Sequence, residues 1–194
     1  MPPLGAWETV QVDRDLVEAA RRGDREAYAD LIRPRADRLF AVAQRILRDV
    51  DRSEDAVQEA LVIAWRDLPG LRDPDRFDAW LRRLLVRATL AEAARERRTV
   101  APLRVLPIDV AAPTDEYVSV ADRDQLDRGF RRLPPQQRVL LALRHFEGLE
   151  PTEIAETLGI PVGTVRSRLH HAHRAMRAAL EADARSSATG GRSA

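Results

Sequence analysis

The chain has 194 residues, 44% of them hydrophobic, with 32 basic against 31 acidic side chains and a net charge of +1. That length suits two small cores rather than one large one, and a near-zero net charge means that any nucleic-acid partner must be read from where the charge lies. Cysteine is absent, which excludes disulfides and thiol chemistry, and every basic residue is arginine.

No apolar run approaches the roughly 18 residues of a membrane span, and Met1 to Val12 lacks the basic start and apolar core of a signal peptide. The expectation is a soluble, cytoplasmic protein without membrane insertion. Valine and isoleucine clusters are short and break at proline, so strands are not expected and the fold class is all-α.

Asp13 is placed to cap a helix carrying Leu16, Val17 and Ala20 that stops at Gly23. Asp24 then caps a second, with Tyr28, Leu31 and Ile32 on its buried face. Pro34 forces a break or kink before Leu39, Phe40, Ala43, Ile46 and Leu47 continue the apolar stripe. Ser53 reads as the start of the next helix, with Glu54 and Asp55 favouring its dipole and Val57, Ala60, Leu61, Ala64 and Leu68 inward. Its other face, Asp55, Gln58, Glu59, Val62 and Arg66, forms one mixed stripe suited either to a partner or to solvent.

After a loop rich in proline and glycine, Phe77, Trp80, Leu81, Leu84, Leu85 and Ala88 define another amphipathic helix. From Leu81 to Arg98 there are six arginines and two glutamates, a charge balance that fits a DNA strand or simply a solubilised surface. Thr99 to Asp122 carries Pro102, Pro107 and Pro113 without steady periodicity and reads as an extended linker.

Beyond the linker, a helix from Val118 with Leu126, Phe130 and Leu133 inward ends at Pro134-Pro135. QQRVLLALRHF follows and stops at Gly148. The stretch EPTEIAETLGIPVGTVRSRLHHAHR then folds into two short helices. Pro151 opens the first and Gly159 ends it in the left-handed backbone that glycine tolerates; Pro161 opens the second, which buries Val165, Leu169 and Ala172. Glu150, Glu153 and Glu156 lie on the first helix. Pro161 to Arg177 has four arginines, three histidines and no acid, as a phosphate-facing helix requires. The bland counterpart is a helical hairpin with a solvated basic face. After Leu180 the chain becomes low-complexity, and 183–194 is expected to be a disordered tail.

GTVRSRLHHAHR closely resembles region 4 of extracytoplasmic-function (ECF) sigma factors of the sigma-70 family, and SEDAVQEALVIAW resembles their region 2.2. The resemblance implies two small helical domains, 13–98 as region 2 and 123–182 as region 4, joined by the linker 99–122. It implies core RNA polymerase, promoter DNA and an anti-sigma factor as partners, and no cofactor and no enzymatic activity. The matched positions are Asp55, Gln58 and Glu59 for the polymerase coiled coil, and Trp80, Arg83 and Arg87 for the minus-ten element. Gly163, Thr164, Arg166, Ser167, His170, His171 and Arg174 match the minus-thirty-five contacts. Members commonly carry Asn, Asp and Arg where this chain has Arg87, Ala91 and Ala94, and Ser where it has Glu150. The first departure motivates an alternative, a sigma-like protein that titrates an anti-sigma factor or polymerase without initiating. The three histidines are not expected to form a metal site, because no Cys or carboxylate completes one.

Overall fold

The computed structural model describes residues 13–99 and 120–190. Most of the expected linker therefore lies outside the described residues. Within them the chain is helical and has no strand.

The N-terminal unit is built from five helices: α1 (Arg14–Arg21), α2 (Arg25–Ile32), α3 (Ala36–Leu47), α4 (Val50–Asp67) and α5 (Phe77–Thr99). Asp13 and Asp24 cap α1 and α2, their carboxylates accepting from the Leu16 and Ala27 amides at 3.2 and 3.1 Å. Pro34 falls in a 3₁₀ turn, Arg33–Arg35, that kinks α2 into α3.

The start of α4 differs from expectation. Asp49 is the cap, accepting from the Arg52 amide at 3.0 Å, and the helix begins at Val50. Ser53 lies inside the helix, fully buried, with its hydroxyl between the Asp49 carbonyl and Gln44 Oε1 at 2.9 Å. Two residues competed for the cap, and Ser53 is instead consumed by the contact between α3 and α4. Alanines at 56, 60 and 64 leave α4 smooth on its buried side, which lets it lie close along α5.

The C-terminal unit contains α6 (Val120–Arg132), α7 (Pro135–Leu141), α8 (Pro151–Leu158) and α9 (Val162–Gly190). A π-helical segment, Ala142–Phe146, extends α7. Leu126, expected inward, is 42% exposed. α6 instead turns its glycine toward α9, where a Cβ on Gly129 would come within 2.9 Å of Met176 Cε. α9 continues through 183–190 of the expected tail, and 191–194 lie outside the described residues.

Leu133, Leu141, Ala172 and Met176 form a core private to this unit. Val139, Leu140, Leu143, Leu149, Ile154, Val165 and Leu169 do not. They share one continuous apolar cluster with Leu39, Ile46, Leu81 and Leu85 of the N-terminal unit.

Candidate docking groove and nucleic-acid interface

Tyr28, Phe40, Val57, Leu61, Val62 and Trp65 wall an open groove of roughly 620 Å³ on α2, α3 and α4. Val57 and Leu61, expected to point into the core, are only half buried because they form its floor. Val62 is 61% exposed and extends the apolar lining of the groove to the surface, making it part of a contiguous patch. The Tyr28 hydroxyl donates to the Leu61 carbonyl at 2.7 Å, and burial pushes its pKa above the ordinary tyrosine value. Its ring packs on Trp65 with centroids 5.1 Å apart, so the groove wall is held in place.

The expected polymerase residues occupy different parts of this surface. Gln58 lines the groove with Asp37 and Glu54 at its rim. Asp55 is exposed beside it, whereas Glu59 turns toward α5 and pairs with Arg95 at 3.0 Å.

On α5 the expected apolar positions 77, 81, 84, 85 and 88 are buried and Trp80 only half so, while Asp78, Arg82, Val86, Thr89 and Ala93 are buried as well. Burial on two faces leaves one open strip, which at about 100° per residue collects Trp80, Arg83, Arg87, Ala91 and Ala94. Trp80 and Arg83 are half buried and Arg87 is exposed, so the three expected minus-ten residues share that strip. The sequence groups Arg82 with the arginines of a DNA-facing or solvated surface. It is 6% exposed, and its guanidinium lies 3.6 Å from Glu147.

The two-helix element at the C-terminus is formed as the glycine and prolines predict. Gly159 has φ of 65° at the end of α8, and no neighbour approaches where a Cβ would stand. Glu150 does not leave the helix start bare, because its amide donates to Glu153 Oε2 at 2.7 Å, the returning half of a capping box. Val165, Leu169, Ala172 and Met176 anchor α9. Gly163, Thr164, Arg166, Ser167, His170, His171 and Arg174 fall within roughly 160° on the other side, counting about 100° per residue, and all but Thr164 are exposed. Arg177 continues the face. Thus all seven expected minus-thirty-five residues are brought onto one face of α9, with Glu181 at its far end beside His171 and Arg174.

The histidines separate. His173 turns from that surface toward His145, with Nε2 atoms 2.7 Å apart, and burial with His173 and Arg144 nearby holds His145 below the ordinary histidine pKa. His170 and His171 stack edge to face at 5.8 Å. Among the described residues no cluster of three or more metal-ligating side chains occurs.

Residues 31–99 match the sigma-70 region 2 family, and residues 123–176 match sigma-70 region 4. The sigma-E factor of RNA polymerase from Streptomyces avermitilis is 35% identical over 155 residues, covering 79% of this chain and 85% of that one. The ECF RNA polymerase sigma factor SigM of Mycobacterium tuberculosis is 30% identical over 175 residues, covering 86% of this chain and 87% of its own. The chain belongs to the ECF sigma factors of the sigma-70 family. Among solved structures, CnrH in complex with the cytosolic domain of CnrY is similar with a TM-score of 0.60 and 26% identity, over 89% of this chain and 99% of that one. Within the ECF frame, the groove and the α5 strip both fall in the region 2 match, and the basic face of α9 falls in region 4. No described helix is long and apolar enough to cross a membrane. Sequence reasoning missed the groove itself, Arg82 and Glu147, because each depends on packing between segments far apart in the chain.

Proposed function

We propose that this ECF sigma factor docks on core RNA polymerase through the α2–α4 groove and places two DNA-reading surfaces, the α5 strip and the outer face of α9, on one promoter. The groove offers Val62, Leu61 and Trp65 as apolar anchors and Asp55, Gln58 and Glu54 as a polar, acidic rim. That combination suits a polymerase helix with an apolar stripe and basic flanks. Asp55 and Gln58 meet the incoming helix directly, while Glu59 acts through Arg95 unless docking releases it.

On DNA, Arg166 stands in the first turn or so of α9, where a guanidinium reaches base edges and can pair bidentately with guanine. Gly163 and Thr164 bring the helix N-terminus and its partial positive charge toward a phosphate. Ser167, His170, His171 and Arg174 follow the backbone. On α5, Arg83 and Arg87 neutralise strand phosphates, and Trp80 supplies a ring beside which an unstacked base can lie. The protein contributes no catalytic group of its own; polymerase forms the phosphodiester bonds. We assign it to the cytoplasm with the polymerase, and we propose an anti-sigma factor as its antagonist, as family membership and the partner-bound state of CnrH support.

The observation that supports this reading most is the α9 surface: seven residues matched on sequence lie together opposite the buried stripe, six of them exposed and Thr164 partly buried, in a stretch from Pro161 to Arg177 without an acid. A second reading is favoured by Ala91 and Ala94, which leave the α5 strip without amide or carboxylate groups for base recognition. In that reading the chain titrates polymerase or an anti-sigma factor without initiating. Run-off transcription with reconstituted core enzyme separates the two, since the first gives discrete transcripts and the second gives none while core binding persists.

A further inference from the structure

All four histidines of the chain, His145, His170, His171 and His173, lie in the C-terminal unit, and neither the groove nor the α5 strip holds one. The side chains whose ordinary pKa falls between about pH 5 and about pH 8 are therefore gathered beside the minus-thirty-five face. His170 and His171 stand on that face. His145 and His173 instead engage each other, with Nε2 atoms 2.7 Å apart and rings edge to face.

Two helices deliver this contact. The π-helical segment Ala142–Phe146 widens the end of α7, where the Glu147 amide donates to the Ala142 carbonyl at 2.9 Å, and His145 rides on it. Such segments are rare and concentrate at functional sites. His173 stands on α9 about 20° around the helix from Arg166 and about 40° from Arg177, at the edge of the basic face. It is exposed, and a side-chain rotation separates it from that face.

A hydrogen bond between two Nε2 atoms needs one N–H and one lone pair. It exists with both rings neutral in opposite tautomers, and with one extra proton, when imidazolium donates to imidazole. A second extra proton leaves two donors facing each other, and the contact is lost. His173 and Arg144 are the charges that act on His145, and both oppose that second proton. Arg144 also donates to Glu150 Oε1 at 2.7 Å and to the Leu149 carbonyl at 2.9 Å. On α9, His170 and Arg177 lie about one turn to either side of His173. The charges of the neighbouring helices are turned elsewhere. On α8, Glu153 accepts from the Glu150 amide and Glu156 meets Arg76. Arg45 of α3 covers the Phe146 ring, Arg38 of α3 and Arg82 of α5 meet Glu147, and Arg132 of α6 donates to the Ala179 carbonyl.

We infer that His173 is a further contact to promoter DNA, withheld by His145 and released as imidazolium when the pair takes up its second proton. The inference rests on the functional reading above, which places DNA along the Arg166 and Arg177 edge. A phosphate there favours the charged ring, so DNA binding and proton uptake assist each other. Neutral His173 stays with His145 and adds no cation to the face. The cation appears on the acid side of about pH 6.5, and only further below it while His145 holds the ring. Affinity for DNA therefore rises as pH falls.

The test is a mutant cycle in the full chain: parent, His145→Ala, His173→Gln and the double substitution. Each is titrated at constant ionic strength, from about pH 8 to about pH 5.5, with a short mixed-sequence duplex, which suffices because a phosphate contact is independent of sequence. At about pH 6.5, His145→Ala should bind about threefold or more tightly than the parent, since the hydrogen bond given up is worth roughly two- to tenfold in an equilibrium constant. Near pH 8 the two should bind alike. The gain should vanish in the His173→Gln background, which a packing defect at position 145 would not produce. At about pH 5.5, His173→Gln should lower the salt slope by about one unit. Equal binding by parent and His145→Ala throughout, weaker binding by His145→Ala at about pH 6.5, or a gain that persists without His173 would overturn the inference. With only four histidines, an NMR titration also reads each ring singly. His145 and His173 should each titrate differently once the other is substituted, and mutual independence would overturn the pairing without reference to DNA. Absence of duplex binding in every chain, parent included, would instead count against the functional reading, leaving the hydrogen-bonded pair to the NMR titration.

Discussion

Val62→Asp is the sharpest probe of the groove. Val62 is 61% exposed on a helix whose buried side is made by Ala56, Ala60 and Ala64, so its replacement leaves the core intact. Valine and aspartate have similar helix propensity, and folding stability should move by no more than about 0.5 kcal/mol. Docking is different. Full burial of valine is worth about 1.5–3 kcal/mol, and the exposed three-fifths available here accounts for about 1–2 kcal/mol of that. An unpaired carboxylate pressed into an apolar contact adds about 2 kcal/mol or more. The sum, about 3 kcal/mol, corresponds to a Kd for core polymerase weaker by roughly a hundredfold. Fluorescence anisotropy of labelled chain titrated with core enzyme measures it, with Val62→Ile as the variant that should bind normally and urea melts as the stability check. A Kd within about threefold of the parent for Val62→Asp would mean that the groove is not the docking surface, since the penalty above would be absent.

Other residues give independent tests. Arg166→Ala should cost roughly 1–3 kcal/mol on matched minus-thirty-five DNA and relax preference at one position, whereas His171→Arg should tighten binding to many sequences and steepen the salt slope by about one unit. Equal loss on matched and mismatched duplex, or an unchanged slope, would remove the respective residue from its role. Tyr28→Phe should lower unfolding free energy by about 1 kcal/mol through loss of the 2.7 Å hydrogen bond to Leu61, and a denaturant melt indistinguishable from the parent would contradict that bond. His145 has a lowered pKa from burial, His173 and Arg144, so folding disfavours its protonation. The stability it contributes is present above the ordinary value of about 6.5 and is lost as pH falls from there through the lowered one. The drop in Tm between about pH 7.5 and about pH 5.5 should therefore be smaller for His145→Gln, and an identical drop would exclude His145 as the group responsible.

Local signals survived into the structure where a single turn decides them. Asp13, Asp24 and Gly159 each act through backbone groups within a few residues, and each sits where the sequence places it. Spacing also located the two faces of α9, because helical period alone separates Val165 and Leu169 from Arg166 and His170. Ser53 misled because its competitor, Asp49, was four residues upstream and its hydroxyl was claimed by Gln44 on another helix. Arg82 and Glu147 are 65 positions apart and look like ordinary surface charges until two units close over them. The groove had no signature either, since Tyr28, Phe40 and Val62 come from three helices whose relative packing no periodicity encodes.

Run-off transcription from a genomic fragment library, with purified core RNA polymerase and this chain as the sole initiation factor, tests the central claim most directly. Discrete transcripts should begin downstream of a shared pair of elements at one fixed separation, and they should vanish with Val62→Asp and shift in template preference with Arg166→Ala. Retained core binding with no transcript from any template would contradict initiation and leave the chain as a protein that only occupies polymerase.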